Sequence, residues 1–110
     1  MAGFVYIMTN AAFPDLVKIG KSAKDPQYRK VDLETTGVPD QFIVEYYAFV
    51  ENFDRVEMEV HNRLSSFRYK ENREFFSCGV TKGITTIRDC ASSGMKYEEI
   101  KNEKVFDELT

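Results

Sequence analysis

Two short apolar runs, Gly3-Phe4-Val5-Tyr6-Ile7 and Val17-Lys18-Ile19-Gly20-Lys21, lie either side of the turn-rich stretch Thr9-Asn10-Ala11-Ala12-Phe13-Pro14-Asp15. β-branched and aromatic side chains dominate both runs, while Asn, Pro and Asp crowd the gap. That is the pattern of a β-hairpin, with strands expected over Phe4 to Met8 and Leu16 to Ile19. The hairpin commits the start of the chain to sheet. It also sets one side chain capable of proton transfer, Tyr6 and then Lys18, in the middle of each strand.

The remaining elements follow from periodicity and punctuation. Asp25 as N-cap and Pro26 at the first helical position predict a helix carrying Tyr28, Arg29, Val31 and Leu33, stopped by Gly37 and Pro39. Phe42 to Val50 is nearly all apolar, which predicts a central strand covered on both faces. Asn52 or Asp54 caps a following helix whose apolar face holds Val56, Val60, Leu64 and Phe67. Asn72-Arg73-Glu74-Phe75-Phe76 reads as a polar turn entering a short apolar strand or helix lead-in. Thr81 caps a further helix through Ile84, Ile87 and Cys90, broken at Ser92-Ser93-Gly94. The polar stretch from Met95 to Leu109 reads as a last helix touching the core through Tyr97, Ile100, Val105 and Phe106. This order predicts a small α+β domain with a three-stranded, mainly antiparallel sheet flanked by helices. At 110 residues there is room for one core.

Composition removes several function classes. The chain has two cysteines, Cys78 and Cys90, no CxxC and a single His, which excludes the usual zinc frameworks. Two reduced thiols in a cytoplasmic core are the expectation. No apolar run approaches the roughly 20 residues needed to span a bilayer, so no membrane partner is expected. The N-terminus also lacks the basic-then-apolar pattern of a secretory leader. A net charge of −3 argues against a protein that coats DNA by bulk attraction. The charge is unevenly spread, however. Lys18, Lys21, Lys24, Arg29 and Lys30 face only Asp25 along their stretch, and Arg63, Arg68, Lys70 and Arg73 make a second basic segment. After Gly94 the acids Glu98, Glu99, Glu103, Asp107 and Glu108 outnumber the lysines. A local basic face for gripping phosphate and ordinary solvated helix charge both fit this distribution.

Phosphodiester hydrolysis needs a base for the water, positive charge for the developing phosphorane and stabilisation of the leaving oxygen. Tyr6 and Lys18 are placed to project from one sheet face, where a desolvated Lys acts as base and a Tyr positions the water. Against this stand a core tyrosine and an edge-strand lysine. Arg29 supplies a fork for a phosphate oxygen, or an ordinary exposed helix arginine. Glu57 and His61, four apart on one helix face, offer a carboxylate for a divalent cation and an imidazole beside it. Their bland counterparts are an ion-paired Glu and a surface or satisfied core His. Asn72 is an amide able to brace a neighbouring catalytic group. It is the ordered set, rather than any single member, that points to chemistry.

Gly3-Phe4-Val5-Tyr6-Ile7, Val17-Lys18-Ile19-Gly20-Lys21, Arg29, Leu33, Thr36-Gly37-Val38-Pro39, Glu57, His61, Leu64, Arg68 and Asn72-Arg73-Glu74-Phe75-Phe76 together resemble the GIY-YIG endonuclease superfamily. The likeness is to the branch from phage, prophage and bacterial genomes whose second motif reads KIG, and it covers residues 3 to 76. The resemblance implies a nuclease domain over residues 1–80 and a C-terminal helical extension, 81–110, packed on the same domain. It implies a metal-dependent endonuclease hydrolysing DNA by a one-metal mechanism. In that scheme Tyr6, Lys18, Arg29, His61 and Asn72 are the catalytic set, and Glu57 holds Mg2+ or Mn2+. Lys21, Lys24, Arg68 and Arg73 are the expected DNA-binding residues. Leu33 departs from the family pattern, which often has Tyr or His one turn after the arginine. Members of the superfamily usually add a DNA-binding domain or a dimer partner, so a homodimer or protein partner is a further expectation. The alternative reading is a non-catalytic nucleic-acid-binding or protein-docking module on the same scaffold.

Overall fold

The computed structural model describes residues 1–26, 42–70 and 74–110. In chain order the elements are β1 (Gly3–Asn10), β2 (Val17–Ser22), β3 (Phe42–Val50), α1 (Phe53–Arg63), β4 (Phe75–Phe76), α2 (Val80–Ala91), β5 (Met95–Ile100) and α3 (Glu103–Leu109). The helix expected to run on from Asp25-Pro26, together with Arg29, Asn72 and Arg73, lies outside the described residues.

The strands form one antiparallel sheet in the order β4-β2-β1-β3-β5. The α+β class stands, but the sheet has five strands rather than three. Both additions are edges that local sequence barely marks. Two-residue β4 exists because Phe75 and Phe76 pair with Lys18 and Val17. Met95–Ile100, expected to be helical, is instead β5, paired along Tyr46–Val50 of β3. The helical expectation holds only from Glu103, where the Asn102 side chain accepts from the Val105 N–H and caps α3.

The β1–β2 register sets Tyr6 opposite Gly20, Ile7 opposite Ile19 and Met8 opposite Lys18. Alternation then divides the sheet into two faces. One carries Val5, Ile7, Val17, Ile19, Tyr46, Ala48 and Val50, closed by Val56, Val60 and Leu64 from the α1 side and Ile84, Ile87 and Cys90 from α2. Gly83 lets α2 approach closely, since a Cβ there would sit 2.7 Å from Ile7 Cδ1. The other face gathers Tyr6, Met8, Phe42, Val44 and Tyr47, with Phe4 and Phe75 packed alongside.

Two capping expectations are corrected. Asn52 occupies the α1 cap with left-handed backbone (φ 53°), but its side chain makes no capping bond. α2 is preceded by Gly79 at φ 81°, a conformation suited to glycine, so Thr81 falls inside the first turn. The Thr81 hydroxyl instead donates to Glu108 at 2.8 Å, tying α3 to α2. Cys78 and Cys90 are free thiols. Among the described residues no helix is long and apolar enough to cross a membrane.

Candidate functional site

The site is built around the free half of β2. Among the described residues of β2, β4 pairs with Val17 and Lys18, and the last link is the Ile19 N–H donating to the Glu74 carbonyl at 2.9 Å. Among the described residues no strand continues outside Gly20–Ser22. Groups from both sheet faces therefore meet around this edge.

From one face come Tyr6 and Lys18. Tyr6 is 0% exposed, and its hydroxyl lies over Gly20, where an added Cβ would come within 2.5 Å of the phenol oxygen. Glycine is required there by this close approach. Lys18 is 4% exposed, and its Nζ makes an ion pair with Glu74 at 3.2 Å. The same ammonium stands 5.6 Å from the centre of the Phe75 ring. Glu74 Oε1 would also touch a Gly20 Cβ, at 3.0 Å. Phenol and carboxylate thus meet over one glycine, and the Lys18 ammonium joins them through its ion pair with Glu74. The carboxylate is the more solvent-facing member of the Lys18–Glu74 pair.

From the other face comes α1. His61 donates through Nε2 to the Ile19 carbonyl at 2.8 Å, since a carbonyl can only accept, and its ring packs 5.0 Å from that of Phe76. The structure thus places His61 as a brace between α1 and β2, with one ring nitrogen committed. Glu57, one turn earlier, is half-buried and makes no hydrogen bond or ion pair among the described residues. Burial lifts its carboxyl above the usual glutamate range, with Glu74 and Asp54 adding repulsion, while His61 and Lys21 pull the other way. Among the described residues no cluster of three or more His, Cys, Asp or Glu forms a cation cage. Glu57 is therefore a lone, under-compensated hard oxygen donor. That fits a Mg2+ or Mn2+ ion holding one protein carboxylate and otherwise water and phosphate.

The expected DNA-binding residues are dispersed. Lys21 is taken up by Asp54 at 2.6 Å, which with burial opposing holds its ammonium above the usual lysine value. Lys24 is exposed. Arg68 lies over the Phe76 ring at 5.5 Å and reaches the His61 carbonyl at 3.4 Å through Nη2, while its buried Nε makes no hydrogen bond among the described residues. Sequence reasoning quoted Glu74 within a motif but gave it no role. The signal available was its place immediately before the Phe75-Phe76 pair, which only the β2–β4 register connects to Lys18.

No curated protein and no solved structure matches the chain. The model of the T5orf172 domain, a phage-associated domain related to nuclease-type domains, matches residues 3–92, which spans the hairpin, α1, β4 and α2. The chain belongs to the T5orf172 domain family.

Proposed function

We propose that this domain is a metal-dependent endonuclease of GIY-YIG type that hydrolyses DNA phosphodiester bonds with one divalent cation. The observation that carries this reading is the half-buried Glu57 carboxylate, without a hydrogen bond or ion pair among the described residues, beside the Tyr6–Lys18–Glu74 cluster at the open edge of β2. Glu57 would hold Mg2+ or Mn2+, which when bound supplies positive charge to the scissile phosphate. The Tyr6 hydroxyl orients the attacking water, and Lys18, having passed one ammonium proton to the Glu74 carboxylate beside it, takes the proton of that water as a neutral amine. Arg29 and Asn72 keep the roles the sequence resemblance implies, a fork on a phosphate oxygen and a brace for the site. The domain needs no bulk positive charge for this work, because it grips one phosphate locally.

Supercoiled plasmid incubated with Mg2+ or Mn2+ tests the reading. Wild type should nick or linearise it. EDTA should abolish cutting, and Glu57→Ala should lower the rate by about 10²-fold or more. A second reading, a non-cutting nucleic-acid-binding module, is favoured by one observation: Tyr6 and Lys18 are both buried. DNA binding that ignores metal and Glu57, with no cutting by wild type, would establish that second reading and remove the first.

A further inference from the structure

An aromatic cleft opens beside the candidate site. Phe13 and Leu16 from the hairpin turn, with Tyr69 and Phe75, line an open space of about 130 Å3. Phe13 and Tyr69 are 40% and 42% exposed, so both rings remain accessible from solvent. The walls are fixed. Phe75 is held by β4 pairing, stands edge-on to Phe13 at 5.9 Å and packs on Phe42 at 6.4 Å. The Tyr69 N–H donates to the Phe75 carbonyl at 2.8 Å.

Charge around the cleft distinguishes its occupants. Phe75 is shared with the candidate site, because the Lys18 ammonium stands 5.6 Å from its ring centre. Lys70 follows Tyr69 in the chain and has no carboxylate partner among the described residues, while Arg68 lies over Phe76 on the opposite sheet face; the acids close by in the chain are Asp15, Glu71 and Glu74, the last paired with Lys18. An apolar peptide side chain would use the rings and leave the cations idle. A nucleotide uses both, with its π face on the rings and its phosphates among the cations.

We propose that this cleft takes one nucleobase of a nucleic-acid strand lying across the candidate site, stacked against Phe75 between Phe13 and Tyr69. The inference rests on the nucleic-acid ligand of the function proposed above and adds a substrate class to it. A base can enter only when unstacked from its neighbours, so single-stranded, frayed or flipped positions are preferred over intact duplex. The lining is apolar apart from the Tyr69 hydroxyl, so the subsite tolerates any base.

The test uses the full chain in EDTA, where metal-dependent cutting is off. Binding is read by fluorescence anisotropy on a short labelled oligothymidine and on an abasic deoxyribose-phosphate oligomer of equal length. Wild type should bind the oligothymidine about tenfold tighter. Phe13→Ala and Tyr69→Ala should bring oligothymidine down to the abasic level and leave abasic binding unchanged, while Tyr69→Phe, which keeps the ring, should behave as wild type. Equal wild-type affinity for the two oligomers, no binding to either, or equal losses on both in the variants would overturn the subsite. Base-dependent binding by a wild type that never cuts plasmid in Mg2+ would uphold the subsite and end the nuclease reading. Plasmid cutting with base-blind binding would do the reverse.

Discussion

A half-buried carboxylate with no hydrogen bond or ion pair among the described residues works against the fold that holds it, and at position 57 this gives a way to separate function from structure. Burial raises the Glu57 pKa in the folded state, so folding favours its protonated form. That contribution is fully present below the unfolded glutamate pKa of about 4.3 and is lost as pH rises through the raised folded value. At neutral pH the ionised side chain is a burden, and Glu57→Gln is expected to raise the melting temperature by a few degrees. The gap from wild type should close as pH falls into the acid range. Added Mg2+ should raise the wild-type melting temperature and leave Glu57→Gln unmoved. Thermal melts across pH, with and without Mg2+, check all three; a less stable Glu57→Gln at pH 7 would make the carboxylate structural. Glu57 was legible because its four-residue spacing to His61 is a local signal. Glu74 was not, because its meaning comes from Lys18, far away in sequence and brought close only by strand pairing.

At the scale of elements, β5 shows most clearly where sequence patterning fails. Strand alternation is hidden there because the position facing α2 is a charged residue, Glu98, opposite Ala48 of β3. The charge is tolerated because Arg88 of α2 donates to Glu98 through Nε and Nη2, each at 3.0 Å, and Tyr46 donates its hydroxyl at 2.8 Å. Met-Lys-Tyr-Glu-Glu-Ile reads as a polar helix for that reason, whereas β1, β2 and β3 bury apolar side chains and read correctly. Burial pushes the Glu98 carboxyl upward, but the Arg88 and Tyr46 hydrogen bonds outweigh it and hold it below the usual glutamate range. A depressed folded pKa contributes stability above the unfolded value that is lost as pH falls through the folded one. Glu98→Gln is therefore expected to cost about 1–3 kcal/mol at pH 7, with the deficit shrinking under acid conditions. Urea denaturation at neutral and acid pH measures it, and an unchanged neutral midpoint would mean that backbone pairing alone holds β5.

For the molecule as a whole, the sheet order separates two jobs. The candidate site lies around β2 and β4, while β5 and its acidic neighbours occupy the opposite edge. A chain of net charge −3 can therefore offer cations on one side and keep Glu98, Glu99 and Glu103 away from a phosphate. The family match ends at residue 92, yet the fold does not. β5 covers the outer edge of β3, Val105 of α3 is buried in the main core, and Asn102 and Thr9 both donate to Glu45 across the sheet. Deleting residues 95–110 would bare the β3 edge from Tyr46 to Val50 and leave Arg88 and the Tyr46 hydroxyl without their carboxylate. A bare edge strand recruits other chains, and a domain whose total stability is about 5–15 kcal/mol has little margin for such a loss. Residues 1–94 are thus expected to melt far below the full chain, or to aggregate, in scanning calorimetry and size-exclusion chromatography. A fragment that stays monomeric and melts at the full-chain temperature would make the segment after Gly94 an appendage. In the full chain, Glu98→Gln should weaken this edge and still nick plasmid at the wild-type rate below its melting point, because the substituted residue lies across the sheet from the chemistry.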